Sequence, residues 1–223
     1  MASEEQQLQR KRAPKQPPPG GSVAPDPALK PFERNLLRNP NPEGVNISEP
    51  APPLTLPRAA WNPLDPKGIF KGWQVSIEPL EADKAEVTPK SVLPRYSWCV
   101  KQQYIDLVAE GFWEELLDSY QPNFTVMDWY ENSKLADSVY ELHVRLLGAD
   151  RATVMGEFHH VAHEGEQDGQ ENKNWHHVSH VFQRYGAGLR YVHFLHKAKE
   201  VETPAGFLRT RVTDSSVSAQ LRD

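Results

Sequence analysis

The sequence predicts an all-β sandwich of the jelly-roll kind with one short helix, preceded by a disordered proline-rich tail. Seven segments with the period-two alternation of strands follow residue 100, at spacings of about 10 to 20 residues, and turn signals separate them. Only one segment has helical spacing. Fifteen of the twenty prolines lie in residues 1–66, which hold only two aromatic residues. The first third of the chain therefore cannot bury a core of its own.

Composition divides the chain into three parts. Residues 1–30 have the composition of a disordered tail, with QPPPGG and PDP and almost no side chain to bury. Residues 31–66 are predicted to form an extended proline-rich lead-in, with one short helical turn in residues 31–44 that Asn-Pro-Asn-Pro ends. Residues 67–223 are numerous enough to bury the core of one sandwich domain without disulfides.

Each predicted strand depends on alternation between apolar and polar residues. Residues 139–147 alternate most regularly, with four apolar side chains on one face and three polar ones on the other, which predicts a half-buried antiparallel strand. Residues 189–197 alternate with apolar residues on both faces, as in a strand covered by a sheet on one side and by loops on the other. Shorter strands are predicted at residues 101–108, 123–130, 151–158, 176–183 and 210–221.

The one predicted helix spans residues 111–119. Trp113, Leu116 and Leu117 recur there at helical spacing, and two glutamates favour the N-terminal end of the segment. We therefore expect a single short helix beside the strands.

Charge and hydropathy exclude several classes of protein. The net charge is +1 over residues 1–66 (8 basic, 7 acidic) and −6 over the rest (17 basic, 23 acidic), which argues against nucleic acid as the partner. No apolar run approaches the roughly 20 residues that cross a bilayer, and the first residues lack a secretory signal. A single cysteine, Cys99, excludes an internal disulfide and a cysteine zinc cluster. We expect a soluble, cytoplasmic protein.

All nine histidines lie between His143 and His196, and this clustering suggests metal ligands. Within one strand, histidines four residues apart share a face but lie about 13 Å apart, which is too far for two ligands of one zinc ion. A metal site would need neighbouring strands to converge. We expect no metal site, and we interpret the histidines as side chains on solvated strand faces that titrate near neutral pH.

The sequence contains no catalytic constellation. No nucleophile-elbow motif occurs, and Cys99 lies in a strand-like region with no motif that marks it as a nucleophile. Glu114 and Glu115 are adjacent on the predicted helix and point to different faces. Gly186-Ala-Gly188 lacks the third glycine of a phosphate-binding loop. We therefore expect a protein that is not an enzyme and uses no cofactor.

Aromatic residues in turn-rich surroundings indicate ligand binding instead. Flat aromatic faces bind sugar rings or peptide side chains, and jelly rolls commonly bind through loops at one end. We expect Trp98 and Trp129 to be core residues at strand ends. For Tyr96, a core position and a ligand-binding position are equally compatible with the sequence.

Five motifs occur in the order found in the F-box-associated domain family, and residues 32–222 as a whole resemble that family. The motifs are YIDLVAEGFWEELLDSYQP (104–122), DWY (128–130), VYELHVRLL (139–147), HVF with YGAGLRYVHFLHK (180–197) and RVTDSSVS (211–218). The resemblance implies a ten-stranded, galactose-binding-like sandwich that recognises glycoproteins. It also implies an N-terminal F-box that docks on the Skp1 adaptor of a cullin ubiquitin ligase.

The resemblance also implies a ligand site, from which this chain departs. In the sugar-binding members, a Tyr-Trp pair in the loop before the last strand stacks on the glycan. Counting back from Arg211, those positions are occupied here by Thr203 and Pro204, so we expect weak or absent glycan binding. Tyr96 stands where relatives carry another aromatic of the same pocket. Residues 1–30 show no amphipathic helices, so we expect the F-box to be missing, which leaves Skp1 docking open.

Two functions are compatible with this resemblance. The first is a non-enzymatic, cytoplasmic module that binds glycoprotein or protein substrates for ubiquitin-dependent turnover. The alternative follows from residues 34–53, which resemble a form of the family implied to be a cell-surface antigen receptor of cytotoxic cells in innate immunity. That alternative requires peripheral attachment to the plasma membrane, and neither terminus shows a lipidation motif.

Overall fold

The structure, a computed structural model, describes residues 31–42, 70–79, 95–131, 140–162, 175–203 and 206–222. Within these ranges the chain forms nine strands and one short helical segment. The strands are β1 (Gln74–Pro79), β2 (Arg95–Asp106), β3 (Asn123–Glu131), β4 (Tyr140–Leu147), β5 (Val154–Val161), β6 (Trp175–Phe182), β7 (Tyr191–Thr203), β8 (Gly206–Arg209) and β9 (Val212–Gln220). The predicted all-β sandwich is confirmed.

The strands form two antiparallel sheets with one hydrophobic core. The large sheet has the order β1-β2-β7-β4-β5, and β8 pairs with β7 beyond the end of β4. The small sheet has the order β6-β3-β9. Strand β7 pairs with all of β2, from Arg95 opposite Glu202 to Asp106 opposite Tyr191. The paired strands β2 and β7 therefore run along the whole length of the large sheet, from one end of the sandwich to the other.

Strand β4 shows why alternation predicts strands in this chain. Tyr140, Leu142 and Val144 are fully buried, while the side chains between them face outward. Strands β1 and β8 are not predicted from the sequence. Strand β1 lies at the edge of the sheet and offers only Val75 and Ile77 as alternating apolar residues, and β8 is only four residues long.

The helical segment lies slightly beyond its predicted position. It begins at residue 114 and continues as a π-helical turn over Leu116–Tyr120. Gly111 has a φ of +108°, which a helix does not contain, so residues 111–113 stay outside. Gln121, in a left-handed conformation, ends the turn and donates its amide N–H to the carbonyl of Leu116 at 2.8 Å.

The described part of the lead-in, residues 31–42, packs into the sandwich. Leu36 and Leu37 are buried in the hydrophobic core. The amides of Glu33 and Leu36 donate to carbonyls of β9 at 3.0 and 2.7 Å. The predicted helical turn does not form here, because Glu33 and Asn39 adopt left-handed conformations with φ of +56° and +47°. The tail of residues 1–30 and the predicted boundary at 66/67 lie outside the described residues.

The interior of the sandwich has two chemically different ends. At the apolar end, where β2 finishes and β3 begins, the buried side chains are hydrophobic and include Leu107, Phe112, Leu116, Phe124 and Leu189. At the polar end, where β2 begins and β3 finishes, the interior holds the buried residues Lys101, Asp128, Glu131, His196, Glu200, Arg211 and Ser215. The sandwich therefore buries its charged side chains at the end where Tyr96 lies.

Candidate functional site

Two of the three positions that the sequence singled out for ligand binding, Tyr96 and Thr203, lie at the polar end. In the register of β2 and β7, Tyr96 lies opposite Val201, two residues before Thr203. Thr203 pairs with Gly206 where β7 turns into β8. Pro204 lies outside the described residues, so its place in the site stays a prediction. The register therefore places Tyr96 and the β7–β8 turn at the same end of the large sheet, the polar end.

Tyr96 is the exposed aromatic residue in this part of the described chain. Its side chain is 36% exposed, and the Nζ atom of Lys199 lies 5.3 Å from its ring centroid. Trp98, two residues further along the same face of β2, is half-buried rather than part of the core. Trp129 is also half-buried and packs against His177. An accessible aromatic ring next to an ammonium group can contact a planar or anionic partner group.

A buried polar network lies in the interior at this end. Asp128 is fully buried and accepts hydrogen bonds from the hydroxyl of Tyr140, from His196 Nδ1 at 2.8 Å and from Ser215 Oγ at 2.7 Å. Asp128 and Ser215 belong to the small sheet, whereas Tyr140 and His196 belong to the large sheet. This carboxylate therefore connects the two sheets across the sandwich.

A β-bulge shapes the network. Asp128 stands alone on β3 opposite two residues of β9, Asp214 and Ser215. Asp214 has a φ of +49°, and its amide donates to Asn41 Oδ1 at 2.6 Å. Burial raises the pKa of the Asp214 carboxyl. The lead-in thus fixes the backbone turn that directs Ser215 toward Asp128.

Two further buried pairs belong to the polar end. Arg211 donates from Nε to Glu131 Oε2 at 3.0 Å, and its guanidinium lies 5.6 Å from the ring centroid of Trp175. Ser97 donates to Glu200 Oε1 at 3.0 Å between β2 and β7. Burying charged groups is costly unless they are hydrogen-bonded. Ser97–Glu200 joins the two strands that carry Tyr96 and the β7–β8 turn, whereas Glu131–Arg211 joins the end of β3 to the residue before β9 in the small sheet.

Spacing and alternation do not predict this network, and the predicted solvated faces are wrong for more than one histidine: His180 lies opposite the buried Val126 on β3 and so shares the inward face. His196 is buried against Asp128 and stacks on Trp73 with ring centroids 4.9 Å apart, so it does not lie on a solvated face. One signal was available for Asp128. On β3 it occupies the inward position after Phe124 and Val126, where alternation calls for an apolar side chain. A charged residue at such a position indicates a buried partner.

A second cluster of titratable side chains lies on the outer face of the large sheet. His143 on β4 and His159 on β5 stand opposite each other, with ring centroids 4.0 Å apart, and Glu141 Oε2 lies 3.3 Å from His143 Nε2. Burial lowers the pKa of His143, and the neighbouring charges of His159 and Lys197 lower it further, although Glu141 acts in the opposite direction. The imidazole of His143 is therefore mostly uncharged at neutral pH.

The described residues offer little for covalent chemistry. Cys99 is fully buried in β2. In the described ranges, Ser97 and Ser215 donate to the carboxylates of Glu200 and Asp128, which are buried in the interior rather than open to an exposed cleft. The polar end offers shape, hydrogen bonding and one aromatic contact, which suit binding of another molecule.

Comparison with known proteins identifies the family. Residues 28–219 match the family described as F-box associated region, which is most of the chain. The chain belongs to the F-box associated family. The matched residues include β1 to β8 and all of β9 except Gln220, so the family match covers both the polar and the apolar end of the sandwich.

Curated relatives of this F-box associated chain are F-box only proteins. It is 54% identical to human F-box only protein 50 over 194 residues, covering 87% of this chain and 64% of the relative. It is 43% identical to F-box only protein 50 of Danio rerio, covering 84% of this chain and 81% of the relative. With bovine F-box only protein 2 the identity is 37%, covering 82% and 58%. The chain thus spans less than two thirds of the human and bovine relatives.

Solved structures similar to this F-box associated chain are β-rich but distant. TmCBM61 in complex with β-1,4-galactotriose is 10% identical with a TM-score of 0.36, covering 84% of this chain and 100% of that chain. A bacteriophage CBA120 tailspike domain is 11% identical with a TM-score of 0.41, covering 83% and 21%. In the part of the chain that the structure describes, no helix has the length and apolarity of a membrane span.

Proposed function

We propose that this chain is a non-enzymatic, cytoplasmic recognition module that binds protein substrates at its polar end for ubiquitin-dependent turnover. The observation that carries the proposal is family membership over residues 28–219, together with relatives that are F-box only proteins. Binding is assigned to the polar end because the exposed ring of Tyr96 and the β7–β8 turn lie there, on strands that the buried Glu200 carboxylate joins by accepting a hydrogen bond from Ser97. Recruitment of Skp1 and a cullin ligase is part of the proposal.

The chemistry of this end favours a protein surface over a tightly held glycan. Tyr96 offers one exposed aromatic ring, and Lys199 beside it adds a positive charge. Thr203 and Pro204 occupy the positions where the resemblance implies a Tyr-Trp pair, so two stacking faces are lost. A single aromatic contact contributes about 1–2 kcal/mol, which is too little for a sugar alone but useful within a larger interface.

A matched pair of tyrosines on β2 tests the proposed site. Tyr96 and Tyr104 lie on the same face, are 36% and 43% exposed, and each has a cation over its ring. They are eight residues apart, which is about 26 Å along a strand. In cells treated with a proteasome inhibitor, we expect Tyr96→Ala to lower recovery of cross-linked, ubiquitylated proteins about tenfold, and Tyr104→Ala to leave it near the wild-type level.

Further measurements distinguish this proposal from its alternatives. Equal recovery with both tyrosine variants would remove the polar end as the binding site. Absence of ubiquitylated proteins and of Skp1 from the wild-type recovery would contradict the link to protein turnover. On a glycan array we expect no signal for chitobiose, and micromolar binding would show that substrates are held through their sugars. Labelling of the protein on intact cells, before permeabilisation, would favour the receptor alternative.

A further inference from the structure

Strands β4 and β5 place three potential metal ligands together on the outer face of the large sheet. Glu141 and His143 are two residues apart on β4 and share this face, and His159 is the register partner of His143 on β5. One donor atom from each side chain lies within 4.8 Å of the other two. Two paired strands can therefore bring histidines close enough to share one metal ion, because side chains directly opposite each other have Cβ atoms only about 5 Å apart. Histidines four residues apart on a single strand cannot.

We propose that Glu141, His143 and His159 bind one divalent transition-metal ion of the zinc class. Two imidazoles and one carboxylate form a ligand set that zinc uses where a fourth position stays open to water or to a partner. This site goes beyond the recognition function proposed above and lies on a different surface. It would fasten the edge strand β5 to β4.

The distances suit this ion. Two ligands bonded to tetrahedral zinc at about 2.0–2.2 Å lie about 3.4 Å from each other. Glu141 Oε2 and His143 Nε2 already lie 3.3 Å apart. The ring of His159 stacks on that of His143 with 21° between their planes, so His159 must leave this stack and turn its ring nitrogen toward the ion. His159 is exposed, so its side chain can rotate in this way without disturbing the core.

Nearby cations are engaged with other carboxylates. Lys197 lies opposite Glu141 on β7, and its Nζ donates to Glu78 at 2.8 Å. Arg145, next on the outward face of β4, pairs with Glu157 at 3.4 Å. Each positive charge therefore has its own negative partner, which leaves the Glu141 carboxylate available to a metal ion.

A comparison of histidine variants tests the site. Untagged full-length chain is titrated with Zn²⁺ by calorimetry, and His159→Gln is compared with His177→Gln, a histidine on the outer face of the small sheet. We expect the wild type and His177→Gln to bind one more equivalent than His159→Gln, or to bind that equivalent at least about tenfold more tightly. Glu141→Gln should weaken the same equivalent.

A second measurement keeps the test decisive if a variant changes stability. In the wild type, Zn²⁺ should shift the side-chain ¹⁵N resonances of His143 and His159 together and should raise the melting temperature. Wild-type protein that binds no zinc would overturn the proposal. So would bound zinc that is unaffected by both His159→Gln and Glu141→Gln, or that is lost equally in His177→Gln.

Discussion

The two ends of the sandwich are built from the same strands but are held together differently. At the apolar end, Phe112, Leu116 and Phe124 pack without hydrogen bonds between their side chains. At the polar end, Asp128 and the pair Glu131–Arg211 are buried and depend on specific hydrogen bonds. Apolar packing adds stability with little directional demand, whereas buried ion pairs fix geometry at a cost in desolvation. The geometry of the polar end therefore depends more strongly on the exact positions of its side chains than the geometry of the apolar end does.

The largest expected effect comes from removing the central carboxylate of the polar end. Asp128→Ala leaves the donors of Tyr140, His196 and Ser215 without their shared acceptor. We expect the free energy of unfolding to fall by about 3–5 kcal/mol, because an uncompensated buried polar group is costly. Urea unfolding measures this loss. A loss below about 1 kcal/mol would show that the network contributes little to the fold.

An ion pair at the apolar end should matter less. Asp118 accepts from Arg190 Nη1 at 2.8 Å and from the amide of Gly188 at 2.7 Å, but its side chain is 31% exposed. We expect Asp118→Asn to lower the free energy of unfolding by about 1 kcal/mol, since solvent screens the pair. The same urea experiment provides the measurement. A loss equal to that of Asp128→Ala would remove the contrast between the two ends.

The smallest effect is expected from mild acid. Burial lowers the pKa of His143, His177, His180 and His193, so the unfolded chain binds protons more readily than the folded one below the ordinary value of 6.5. Their contribution to stability is present above that pH and is lost as the pH falls through the folded-state values. We expect the melting temperature to decrease modestly from about pH 7.5 to 5.5.

Melting temperatures at about pH 7.5 and 5.5 also test the ion pair Asp118–Arg190 at the apolar end. Arg190 lowers the pKa of the Asp118 carboxyl, so this group stays ionised across the whole range. The difference in stability between Asp118→Asn and the wild type should therefore be equal at both pH values. A melting temperature that rises on acidification would contradict the assignment of the histidines.

Local patterns in the sequence were sufficient to predict most of the sheets. Strands β3, β4 and β7 bury one face, so their alternation is visible without a structure. Strand β8 was missed because four residues carry too little pattern. The sequence predicts Leu36 and Leu37 in a short helical turn of the proline-rich lead-in, and composition alone does not show that both leucines enter the core.

The site depends on strand register, which composition and spacing do not give. Spacing along one strand argues against a shared metal ion for residues four apart. It cannot reveal that His159 lies opposite His143 on the next strand. Likewise, Asp128 and His196 are 68 residues apart in the chain, and only the packing of the two sheets brings them to 2.8 Å.

The lead-in covers one of the two edges of the small sheet. Strand β9 is an edge strand, and the amides of Glu33 and Leu36 occupy carbonyls along its outer side. An uncovered edge of this kind invites pairing with a second molecule and the growth of aggregates. A recombinant fragment trimmed to the strands alone would carry such a bare edge, together with the holes left by two leucines. Protein intended for crystallisation should therefore keep residues 31–42.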